Sequence, residues 1–289
     1  MIERTANLLA SPYRKTLFVA IALFVALAAV RSFADSPTAQ EPKYKMEENI
    51  LYREGMDLTD AMRESCRLDV YYPEHTTGFA TVVWLHAGGL KEGKRYVPGE
   101  LMKKGIAVVS VDYRLSPAAK SPEYIKDAAA AVAWVFKNIE RFGGSENKIF
   151  VAGASAGGYL ACMVGLDRRW LSVHDIDANR IAGLVSISGQ AITHFTIREE
   201  RGLKGTQPVV DDLAPLFHVR ADGPPLLIVT GDRDLELLGR YEENAYFWRM
   251  MKIAGHNKTE LTELKGLDHA GVEAAAHPLL LKFVRAATP

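Results

Sequence analysis

Three short stretches carry residues able to do nucleophilic chemistry. Gly153-Ala154-Ser155-Ala156-Gly157 is a G-x-S-x-G pattern between the apolar run Ile149–Ala152 and a helical segment. A serine on a sharp strand-to-helix turn points its hydroxyl away from the sheet, and glycines two before and two after let strand and helix cross closely. His86-Ala87-Gly88-Gly89 follows the run Thr81–Leu85. Small residues there let backbone N–H groups face a developing oxyanion. Gly88 and Gly89 are the candidate donors, with the N–H of Ala156 just after the serine as the third. Near the end of the chain, Gly266-Leu267-Asp268-His269 places an imidazole on a loop after the strand-like Leu261–Leu264. An imidazole near pKa 6.5 can take the serine proton and return it to a leaving group. His86 reads as a structural brace of its loop. The other histidines lie in helices, turns or polar connections and make poorer bases. An acid that orients His269 is expected after the run Leu226–Thr230, where Gly231-Asp232-Arg233-Asp234 offers two aspartates.

These residues must be positioned by elements, and the runs before them have the length of strands. Leu68–Tyr72 alternates toward a strand and stops at Pro73, while Thr81–Leu85, Ile106–Val111, Ile149–Ala152, Leu184–Ile187 and Leu226–Thr230 are continuous β-branched runs bounded by turn residues, as strands buried on both faces are. Helical patterns cover Ile125–Asn138, Ala156–Leu166, Glu243–Ala254 and about Val272–Ala286. Alternating strand and helix predicts an α/β fold: a mostly parallel sheet with helices on both faces. The polar lead Ser36–Lys45 is expected to be loose, and the first 30 residues after the signal to add an antiparallel hairpin at one edge. Chemistry in such a sheet gathers at the carboxyl ends of the strands. All three stretches sit there.

The order is nucleophile, acid, histidine, which is that of the α/β-hydrolases. The chain resembles the compact carboxylesterases related to feruloyl and acetyl-xylan esterases, a group with an H-G-G-G-type oxyanion motif. More distantly it is similar to kynurenine formamidases and hormone-sensitive-lipase-like enzymes. The stretches that carry the resemblance are VVWLHAGGL, AVVSVDYRLSP, DAAAAVAWV, IFVAGASAGG, VTGDRD and GLDH. It implies Ser155 as nucleophile, Asp234 rather than Asp232 as the acid, His269 as the base, and Gly88, Gly89 and Ala156 as oxyanion donors. It also implies that Asp112-Tyr113-Arg114 braces the site. Ala87 departs from the pattern by standing where the group commonly has its first glycine.

Residues 190–224 form a cap-like insertion expected to choose the substrate. It is heavily charged, unlike the apolar face of an interfacial lid, which favours a short or polar ester. Gln190, His194 and Phe195 are candidate substrate contacts, against a reading in which they pack the cap locally. The expected activity is ester hydrolysis through an acyl-enzyme, acting on a small molecule without metal or organic cofactor. An amidase or formamidase on the same triad, and a non-catalytic binding protein of the same fold, are the alternatives.

Composition frames this reading. The 289 residues are 48% hydrophobic and 24% charged, with 35 basic and 35 acidic side chains. No basic field advertises nucleic acid. The N-terminus has Arg4, Arg14 and Lys15, the apolar run Leu17–Val30, then Ser32-Phe33-Ala34. This reads as a secretory signal over residues 1–34, with 35–289 as the catalytic domain. The protein is then exported, to periplasm or exterior, and meets a membrane only if the signal stays uncleaved. Without that signal 31 basic and 34 acidic residues remain. Cys66 and Cys162 read as two free, buried thiols.

Overall fold

In a computed structural model the described residues are 42–55, 58–237 and 239–288. The expected signal segment lies outside them. All belong to one unit, Pro42–Pro289.

The sheet has eight strands: β1 (Tyr44–Leu51), β2 (Arg67–Pro73), β3 (Phe79–Leu85), β4 (Ala107–Val111), β5 (Gly144–Ala154), β6 (Gly183–Ile187), β7 (Leu226–Thr230) and β8 (Thr259–Glu263). Their spatial order is β1-β2-β4-β3-β5-β6-β7-β8. β1 and β2 form an antiparallel edge, and β2 meets β4 antiparallel. Every pairing from β4 to β8 is parallel, for example Val83 opposite Val109 on one side and Val151 on the other.

The helices are α1 (Asp60–Ser65), α2 (Glu123–Asn138), α3 (Ala156–Leu166), α4 (Arg169–Ser172), α5 (Phe195–Glu200), α6 (Arg240–Ile253) and α7 (Val272–Ala287). They cover both faces, which explains the unbroken apolar strands. In β3, Val83 and Leu85 pack into one core with Leu160 of α3 and Phe247 of α6. Val82 and Trp84, pointing the opposite way, pack into a second core with Val272, Leu280 and Val284 of α7. A strand that alternates between two dry layers has no polar phase to show.

The chain runs from β3 outward to β4, then back across to β5. The carboxyl ends of β3 and β5 therefore carry loops that part in opposite directions and leave a crevice.

Three details differ from the sequence reading. An antiparallel edge exists, but it pairs β1 with β2, which begins at Arg67 beyond the first 30 residues after the signal, and β1 already takes in Tyr44 and Lys45 of the lead expected to be loose. Helix α1, which hydrophobic spacing does not reveal, begins where Thr59 accepts a hydrogen bond from Met62 N. The cap carries α5 and a 3-10 turn, Pro215–His218, within its charged sequence. Cys66 and Cys162 are both free and buried. No helix among the described residues is long and apolar enough to cross a membrane.

Candidate active site

Ser155 follows β5 and caps α3 in a backbone conformation that L-residues rarely adopt, φ 51° and ψ −113°. Such strain persists only where the surroundings enforce it. Here Ser155 N donates to Ile187 O at 2.8 Å, and Tyr159 N at 3.1 Å to Ser155 O starts α3. The turn needs Gly157, since a Cβ there would lie 1.9 Å from Leu85 O. The side chain is thereby turned into a crevice of about 570 Å³ with Gly88, Gly89, Phe195, Leu237 and His269 among its walls.

His269 reaches Ser155 from the loop after β8. Its Nε2 is 3.0 Å from Ser155 Oγ, and its Nδ1 is 2.5 Å from Glu236 Oε1. Nδ1–H donates to the carboxylate, which leaves Nε2 free to accept the serine proton. Glu236 is fully shielded from solvent. Its Oε2 accepts from Ser188 Oγ at 2.5 Å and from Gly231 N at 3.1 Å. Burial pushes this carboxyl up, but the hydrogen bonds from His269 and Ser188 outweigh burial and bring it down to about 2. It is therefore an anion at neutral pH.

The acid beside His269 is thus Glu236, not Asp234. Asp234 is exposed, and its backbone N–H donates to Asp232 Oδ1 at 3.1 Å. Asp232 turns away too: its Oδ2 accepts from Gly266 N at 2.8 Å and ties this loop to the one after β8. The loop Gly231-Asp232-Arg233-Asp234-Leu235-Glu236 makes a turn, with Leu235 N and Glu236 N both donating to Asp232 O. That turn aims position 236 inward and position 234 outward. The extra methylene of glutamate spans the added distance. The sequence held one signal for this, a third acid on the same loop.

Gly88 and Gly89 both have positive φ, 111° and 61°. Gly88 O accepts from Lys91 N and Glu92 N, each at 3.0 Å, which folds the loop over the crevice. A Cβ on Gly88 would meet Glu92 O at 1.9 Å. Ala156 is the first residue of α3, where backbone N–H groups are free of intrahelical partners. Gly88 and Gly89 share the crevice with Ser155, and Ala156 follows Ser155 in the chain.

His86 is buried below the loop. Its ring stacks on Tyr113 at 4.3 Å, its Nδ1 is 2.6 Å from Ala87 O, and burial lowers its pKa. Tyr113 OH donates to His86 O at 2.8 Å. Asp112 accepts from Arg95 N at 2.5 Å, and Arg114 makes a forked contact with Asp127. These residues brace the site and do not enter it.

Of the cap candidates, only Phe195 lines the crevice. His194 is fully buried: its Nδ1 accepts from Thr196 N and caps α5, so it packs the cap and touches no substrate space. Gln190 Oε1 accepts from Phe195 N at 2.9 Å and holds that ring in place. Among the described residues, no cluster of His, Cys, Asp and Glu is grouped to hold a metal ion.

Comparison with known proteins places this geometry. A truncated carbohydrate esterase from gut microbiota superposes with a TM-score of 0.71 at 18% identity, covering 88% of this chain and 99% of that one. A hyperthermophilic esterase from Pyrobaculum calidifontis superposes with a TM-score of 0.63 at 23% identity, covering 86% and 87%. The fold is that of the α/β-hydrolases. The BD-FAE family model matches residues 68–238. The chain belongs to the BD-FAE family. The BD-FAE match runs from β2 through Ser155 to the loop that holds Glu236, and ends before His269. Esterase LipC of Mycobacterium tuberculosis is 28% identical over 204 residues, 64% of this chain and 50% of that protein. The chain spans about half the length of the curated relatives it matches.

Proposed function

We propose that this chain is a serine ester hydrolase that works through an acyl-enzyme. The observation that carries the reading is the continuous relay from Ser155 Oγ through His269 to Glu236 at the foot of an open crevice. His269 Nε2 takes the Ser155 proton as Oγ attacks the ester carbonyl. The carbonyl oxygen becomes an oxyanion held by backbone N–H groups of Gly88, Gly89 and Ala156. The intermediate collapses, the C–O bond to the alcohol breaks, and His269 delivers its proton to the leaving oxygen. Water then attacks the acyl-serine, with His269 again as base, and releases the acid. Glu236 keeps the imidazole in the required tautomer and stabilises it when it is charged.

The crevice favours a short or polar acyl group, because Lys91, Glu92 and Glu273 share its wall with the small apolar residues. Export rests on the basic and apolar pattern of residues 1–34 alone. Its test is N-terminal sequencing of the protein recovered from the medium or periplasm, where a mature start near Asp35 is expected.

Hydrolysis of p-nitrophenyl acetate through laurate, by the wild type beside Ser155→Ala, tests the activity. Turnover of acetate or butyrate that vanishes in the variant supports the reading. A folded wild type inert on every ester but active on anilides or formamides would move the assignment to an amidase.

A further inference from the structure

Beside the catalytic crevice lies a second cavity of about 1020 Å³. Phe195 and Leu237 line both spaces, so the two adjoin through these side chains. The second cavity also has Arg198 of α5 and Arg240 of α6 in its wall. Each of these arginines is 3% exposed. Arg198 spends one terminal N–H group on Gln207 O, and Arg240 spends one on Ser188 O. The Nε of each has no partner, and among the described residues neither guanidinium forms an ion pair. Buried arginines are ordinarily paired, because an unpaired charge away from water is costly. Two of them, unpaired and facing one space, need an account.

The nearby acids act on them only from a distance: Glu243 favours the charge of both and Glu236 that of Arg240, but among the described residues no carboxylate oxygen comes within ion-pair reach of either guanidinium. Glu199 pairs with Lys91 at 2.6 Å, and Glu242 is exposed. Glu243 is turned to the backbone, accepting from Ala191 N at 3.2 Å, and burial pushes its carboxyl up in spite of Arg240 nearby.

We propose that this cavity is a recognition site for an ionised carboxylate carried by the ester substrate, held by Arg198 and Arg240. The proposal rests on the hydrolase reading above and names the substrate class of that same site. A planar guanidinium presents two parallel N–H donors to a carboxylate, and desolvated pairs of this kind are strong. The monoanion fits better than a phosphate dianion, because the carboxylates of Glu199 and Glu242 also line this cavity and oppose a second negative charge. The substrates are then half-esters of dicarboxylic acids, or esters of hydroxy acids and uronic acids, whose free carboxylate lies beyond Phe195 when the ester carbonyl is at Ser155.

The test is calorimetric binding to the Ser155→Ala protein, which holds esters without turning them over. One probe pair carries the charge on the acyl side: 4-nitrophenyl hydrogen glutarate against its methyl ester. The other carries it on the alcohol side: 4-acetoxybenzoate against its methyl ester. In at least one pair the carboxylate should bind about ten-fold or more tighter than the neutral ester. Adding Arg198→Met should abolish that ratio, and adding Arg198→Lys, which keeps the charge but not the fork, should reduce it. The Lys variant decides the matter if the Met variant does not fold. A ratio near one in both pairs overturns the proposal, and so does a ratio that survives the loss of Arg198. Tighter binding of 4-acetoxyphenyl phosphate than of 4-acetoxybenzoate overturns the carboxylate assignment. Turnover of p-nitrophenyl acetate by the wild type reports the hydrolase reading separately, so the two can fail independently.

Discussion

Glu236 and Asp234 stand two positions apart, and folding gives them opposite surroundings. Glu236→Gln keeps the size of the side chain but replaces the anion that fixes the His269 tautomer. We expect kcat to fall about 10³ to 10⁴-fold on p-nitrophenyl acetate, with KM little changed. Asp234→Asn should leave the rate near that of the wild type, since its carboxylate is exposed and away from the imidazole. The depressed Glu236 pKa has a consequence for stability. A carboxylate held at about 2 contributes stability that is full above the ordinary glutamate value of about 4.3 and is lost as the pH falls toward 2. In thermal melts, the gap between wild type and Glu236→Gln should therefore be widest near neutrality and narrow below about pH 4. Ser155 and His269 were legible in the sequence because each follows a strand of obvious pattern. The acid was not, because the loop after β7 offers three carboxylates within five residues, and spacing does not say which one a turn will aim inward.

At the scale of elements, the site depends on how closely α3 passes the end of β3. Gly157 is where the two backbones nearly touch. Gly157→Ala must push Leu85 O aside, which shifts both the elbow and the loop carrying Gly88. Overpacking of this kind costs about 1–3 kcal/mol, and more where the neighbour is backbone. We expect a lowered urea midpoint and esterase activity lost out of proportion to the stability change. A drop in stability with full activity would show that the elbow can relax. The strands themselves were the most readable part of the chain. A run such as TVVWL has no polar phase, and with β-branched residues and turn signals at its ends it fits little besides a two-sided buried strand. Helix α1 and the cap helix α5 were not readable, because at six residues each is too short to show a period. The cavity shared by Arg198 and Arg240 was equally hidden, since it joins residues 42 positions apart on two helices.

At the scale of the molecule, all the described parts of the site belong to the unit Pro42–Pro289. A chain beginning at Asp35 should fold and carry the full kcat/KM of the longer protein. A truncated protein that melts cooperatively but shows no activity would place part of the site before residue 35. The strand order adds one thing more. Ser155 follows a central strand, while His269 follows β8, an edge strand that among the described residues pairs only with β7. Nucleophile and base are 114 residues apart, so the relay closes only after a long loop has been paid for in entropy. Recovered turnover therefore reports when this long-range contact has closed. On dilution from denaturant, the helical signal should return first and ester hydrolysis later, and the interval between them measures how long a chain with its core formed waits for its final edge.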